Sequence, residues 1–166
     1  AAGKPSAEEQ KAMMEACAKA GALNENHKLL EGMVGSWTFT VKMWMDPSAP
    51  PQESSGTEVT KAVMDGRYFE SETAGTMEMP GPDGKPVKTP FTGKGLTGYD
   101  NLKKKFVNTW IDSMSTGIFM SEGTYDEATK SFTYRGEMDD MMAPGTKVPI
   151  RIVIRITGPD SHVFEW

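Results

Sequence analysis

Glu70 and Glu72 stand two residues apart in a β-type segment with Tyr68, so two carboxylates and a phenol share one strand face. Carboxylates so placed suit acid–base work or the grip of a hydrogen-bond donor. Asn108, Trp110 and Asp112 form a second one-face set with Phe106. In Arg151-Ile152-Val153-Ile154-Arg155 two guanidiniums share a face and could read a carboxylate by bidentate hydrogen bonds, while Ile150, Ile152, Ile154 and Ile156 make an apolar face opposite. The candidates for the wall or rim of a ligand site are therefore Tyr68, Glu70, Glu72, Trp110, Asp112, Arg151 and Arg155. Either face of each strand can be inward. With the arginines inside, a cup would hold a charge network with Glu70, Glu72 and Asp112. With the isoleucines inside, it would be greasy and suit an apolar ligand. The plainer alternatives are a solvated outer face for each charge and a core position for Trp110.

Other reactive groups point less far. His27 and His162 are remote in sequence and match no metal-ligand spacing, so structural histidines, no metal and no cofactor are expected. Met138-Asp139-Asp140-Met141-Met142 and Met77-Glu78-Met79 are thioether clusters that suit packing, a protein-contact patch or soft Cu(I). Cys17 sits among Ala and Met with only Lys19 near enough to activate it. Gly-x-Ser-x-Gly, Walker and dinucleotide glycine patterns are missing, so no catalytic residue is assigned.

Composition narrows the class. A chain of 166 residues suggests one domain. A net charge of -5 and a pI near 5.1 argue against nucleic acid, which needs clustered cations; the run Lys103-Lys104-Lys105 reads as a solvated turn. One cysteine rules out an intrachain disulfide. No apolar run is long enough for a membrane-spanning helix. Ala1-Ala2-Gly3-Lys4-Pro5 reads as a mature end after signal cleavage or a cloning remnant, and the reading leans to an exported, periplasmic bacterial protein over a cytoplasmic one. A few residues beyond Trp166 are expected, since that residue falls within a strand pattern.

The elements that must position these groups are mostly strands. Residues 6–20 read as a helix, with Ser6 and Glu9 at capping-box spacing, Gly21 at its end and an apolar stripe of Met13, Met14, Cys17 and Ala20 to lie on the barrel or a partner. A shorter helical turn spans Asn26 to Met33. From Trp37 to Met45 the apolar period becomes two. Asp46 to Ser55 reads as a loop, and strands follow at 57–64, 67–77, 89–99, 104–114, 117–125, 130–138, 147–157 and 161–166, with a long turn from Pro80 to Pro86. Tyr99-Asp100-x-x-x-Lys104-Lys105-Phe106 recurs as Tyr125-Asp126-x-x-x-Lys130-Ser131-Phe132, which reads as two equivalent hairpins. No helix separates the strands, so the prediction is all-β: an antiparallel meander of about eight to ten strands closed into a barrel, with an open sandwich as the lesser option. Residues 1–23 form a helical extension and 24–166 the barrel domain.

Gly35-Ser36-Trp37 resembles the opening motif of lipocalin-like (calycin-type) barrels. The segment His27 to Trp37, with Gly98-Tyr99-Asp100, Val107 to Asp112, Ser121 to Asp126 and His162-Val163-Phe164-Glu165, resembles a bacterial family known as domain of unknown function 1579. That resemblance implies a lipocalin-like fold and no established activity. It also implies that Trp37 plugs the closed end of the barrel, with Arg155 or Arg151 as its partner. The function expected is non-catalytic binding of a small, mostly apolar ligand. The alternative is an accessory subunit, or a homo-oligomer, that uses the N-terminal helix and Met-rich loop as contact surface.

Overall fold

The computed structural model describes residues 4–44 and 47–166. Met45, expected in the first strand, and Asp46, expected to open the following loop, lie outside them. Helix α1 spans Ala7–Ala20 and starts with a reciprocal cap: the Ser6 hydroxyl accepts from the Glu9 N–H, and the Glu9 carboxylate accepts from the Ser6 N–H. That backbone bond holds the Glu9 carboxyl below its usual range. None of the helix is buried, so the stripe of Met13, Met14 and Cys17 does not lie on the sheet. Asn101 tethers the end of α1 instead. Its Nδ2 donates to the carbonyls of Ala20 at 2.9 Å and Ala22 at 2.7 Å, and its Oδ1 accepts from Asn24 at 2.6 Å.

Helix α2 spans Glu25–Glu31, is capped by Asn24, and buries His27 and Leu30. Among the described residues nine strands follow: β1 Gly35–Met43, β2 Gln52–Val63, β3 Tyr68–Pro80, β4 Pro86–Asp100, β5 Lys105–Asp112, β6 Phe119–Asp126, β7 Ser131–Asp139, β8 Lys147–Gly158 and β9 Ser161–Glu165. Each pairs antiparallel with its neighbours in sequence, giving one meander. Most boundaries shift by one or two residues, and two stretches differ more. The stretch Gln52 to Ser55, predicted as loop, is strand because it pairs with Thr40 to Met43. The Pro80–Pro86 link is short, since β3 and β4 stay paired up to those two residues.

The sheet curls into a half-barrel. Hydrogen-bonded ladders join β1 through β9 in order, with no β1–β9 ladder among the described residues. At that seam side chains meet instead: the rings of Trp37 and His162 pack edge to face at 4.7 Å. The exposed surface is large, and the unburied α1 contributes to it. The chain exposes 12072 Å², against about 8,100 Å² for a compact monomer of 18.2 kDa.

Strand alternation and register sort the side chains. Phe69, Phe106, Phe132 and Tyr134 form the core with Leu30 of α2, and Leu29, Tyr99, Tyr125, Ile152 and Ile154 pack around them. The face that carries these residues is concave, and α2 covers its lower end. The repeated hairpins supply the centre. Tyr99 pairs with Phe106, and Tyr125 with Phe132. Asp100 accepts from the N–H groups of Leu102 and Lys103, Asp126 accepts from that of Ala128, and Lys104 and Lys130 each take a left-handed backbone (φ 55 and 48). The Phe106 and Phe132 rings then meet edge to face at 5.0 Å.

Candidate functional site

Beyond α2 the concave face is open, and its composition changes. The register aligns Trp37, Glu58, Thr73, Gly93 and Asp112 in one row across β1 to β5. The next row runs Gly35, Thr60, Ser71, Gly95, Trp110 and Phe119, and a third holds Phe39, Gly56, Gly75 and Phe91. Polar groups and aromatic rings therefore alternate on the floor of a trough.

Two glycines let the rings lie flat. A Cβ at Gly93 would meet the Trp110 indole at 2.2 Å, and one at Gly56 would meet the Phe39 ring at 2.4 Å. Both contacts are far inside van der Waals range, so a larger residue must displace the ring, and at Gly56 also the Ala74 carbonyl oxygen, which lies at 2.3 Å. Trp110 is also stacked on Phe91 at 6.5 Å, and its indole N–H donates to Asp112 at 3.0 Å.

The carboxylates of this face are held but not neutralised. Glu58 accepts from the Thr73 hydroxyl at 3.0 Å and the Thr60 hydroxyl at 3.4 Å. Asp112 accepts from Trp110 and from the Met114 N–H. Among the described strand residues, the concave face carries no Lys or Arg; its charged side chains are Glu58 and Asp112. His162 adds a titratable ring at the seam. Burial lowers its pKa, and the nearby Glu58 charge partly offsets that.

One row nearer α2, Asn108 donates to the Thr97 hydroxyl at 2.8 Å. Its cross-strand neighbour Ser121 is 4 % exposed, and its hydroxyl has no partner among the described residues. A buried hydroxyl without a partner costs about 1–3 kcal/mol relative to a bonded one.

The sheet divides the residues singled out from sequence. Trp110 and Asp112 lie on the concave face. Tyr68, Glu70, Glu72, Arg151 and Arg155 lie on the convex one, because Phe69, Ile152 and Ile154 occupy the core side. There Glu72 pairs with Lys94 at 2.6 Å, which holds its carboxyl below the usual range. Arg155 pairs with Glu165 at 3.7 Å. The arginine expected over Trp37 is thus on the wrong face. Trp37 instead packs on His162 and donates its indole N–H to the Met33 carbonyl at 3.0 Å. Glu58, Thr60 and Thr73 were missed in the sequence, since a lone Glu among Thr residues reads as a solvated face. Their signal was the alternation of Ser54, Gly56, Glu58 and Thr60 opposite an aromatic strand.

Among the described residues, no helix is long and apolar enough to cross a membrane. No curated protein matches this chain. A family model matches residues 23–166, so the chain belongs to the family described as protein of unknown function (DUF1579).

Proposed function

We propose that the open end of the concave face binds one small, mostly apolar ligand without catalysis, and that the ligand carries a cationic or hydrogen-bond-donating head. The observation that carries this reading is the row of Glu58 and Asp112. Two carboxylates lie in one register row, beside Trp37 and Trp110, on a face without a cation among its described strand residues. Aromatic faces and carboxylates both attract a desolvated cation. The rings of Phe39, Phe91 and Phe119 would take the apolar body.

Displacement of the neutral fluorophore N-phenyl-1-naphthylamine tests it. Saturable binding is expected, with decyltrimethylammonium displacing the dye at least tenfold better than decyl sulfate, both below their micellar range. Combining Glu58→Gln with Asp112→Asn should erase that difference. No saturable binding would sink the site; equal displacement by the sulfate would sink the choice of head group.

A second reading rests on α1. The helix buries none of its residues, and Met141 and Met142 are 87 % and 93 % exposed. Apolar surface left this free suits a protein contact. Size-exclusion mass with and without residues 4–20 tests it: a multimer that falls to monomer supports the contact surface, and a monomer in both removes self-association through α1.

A further inference from the structure

Arg135 and Arg151 are direct cross-strand partners of β7 and β8. Both belong to the convex face, because Tyr134 and Ile152 occupy the core side. Like charges directly opposite one another on a sheet are destabilising. Most other convex-face charges nearby are compensated. Arg155 has Glu165, Lys147 has Asp139 at 2.8 Å, and Glu122 is shared by Lys103 and Lys105. Glu122 is the cross-strand neighbour of Arg135 on its other side, yet both its oxygens are taken by the two lysines. No ion pair involves Arg135 or Arg151 among the described residues.

The same two residues line an open hollow of about 530 Å³ with Gly136, Glu137, Pro149 and Ile150. Arg135, Glu137, Pro149 and Arg151 reach it from the convex face by alternation. We propose that Arg135 and Arg151 form a two-guanidinium site for a small oxyanion, a carboxylate or phosphate group. A guanidinium offers a planar fork of donors matched to such oxygens, and cross-strand forks would take one anion between them. An anion seated there would also relieve the repulsion that the bare pair suffers. Glu137, which makes no ion pair among the described residues, works against the site and limits its affinity. This proposal is independent of the concave trough.

The test is NMR observation of the arginine Nε–Hε signals while phosphate, and separately acetate, replaces chloride at constant ionic strength. The signals of Arg135 and Arg151 should shift together and saturate. Saturation by acetate alone would assign a carboxylate, and by phosphate alone a phosphate group. Arg151→Gln should weaken binding at least tenfold, Arg151→Lys should not restore it fully, and Glu137→Gln should strengthen it. In phosphate-free buffer Arg151→Gln should melt no lower than the parent, which shows that lost binding is not lost folding. Shifts no larger than those in chloride, or an Arg151→Gln variant that binds as the parent does, would overturn the proposal.

Discussion

Beneath α2 the concave face is ring and methyl: Phe69, Phe106, Phe132, Tyr134, Ile152 and Ile154 close on Leu29 and Leu30. A few rows along the same strands it carries Glu58, Thr60, Thr73, Asn108 and Asp112 between Trp37, Phe39, Phe91 and Trp110. The backbone geometry is shared, so the difference lies in what covers each end. The lower rows bury their rings against a helix and convert apolar area into stability. The upper rows face an opening, keep carboxylates without an ion-pair partner among the described residues, and use glycines to let aromatic rings lie flat. One end is packed under α2; the other is not covered by it.

Substitutions should separate the two ends. The largest effect belongs to Phe132, the most buried large side chain at 1 % exposure. Phe132→Ala should cost about 3–5 kcal/mol in urea unfolding. A cost under about 1 kcal/mol would mean that the lower end is not the core. Glu58→Gln with Asp112→Asn should change stability far less while removing the preference for an ammonium ligand.

A pH effect comes next. Burial depresses the pKa of both His27 and His162 below the ordinary 6.5. The unfolded chain then binds more protons than the folded one between each folded pKa and 6.5, so stability is fully present above 6.5 and is lost as pH falls through the folded values. Melting temperature should therefore drop on acidification below about 6.5, and the double variant His27→Gln, His162→Gln should flatten that slope. An unchanged slope would show that the histidines are not responsible.

The smallest effect is at Ser121. Removing an unbonded buried hydroxyl leaves no partner stranded, so Ser121→Ala should be neutral or stabilising by up to about 1 kcal/mol without ligand. A loss of more than that would reveal a bond the hydroxyl makes in solution.

Much of the fold was legible in the sequence. The Ser6–Glu9 cap, the change of period at Trp37 and the twin Tyr-Asp hairpins rest on local rules, and each appears where those rules place it. The strand face was not legible. Ile150 to Ile156 and the arginines between them are consistent with either orientation until the Phe132 ring fixes one as core. That single choice sends Glu70, Glu72, Arg151 and Arg155 to the convex side. Closure was also beyond local rules, because whether β9 returns to β1 depends on curl summed over nine strands; here Trp37 and His162 occupy the seam. Glu58 became visible as a candidate only once the register set it beside Trp37 and in line with Asp112.

The four tryptophans offer the most direct test of the trough. Trp37 and Trp110 lie on its floor, whereas Trp44 and Trp166 are 54 % and 71 % exposed. Their indole N–H signals can be followed by NMR during titration with decyltrimethylammonium. A ligand in the open concave face predicts saturable shifts at Trp110 and Trp37, with Trp44 and Trp166 almost unmoved. Shifts confined to Trp44 and Trp166, or none that saturate, would contradict it.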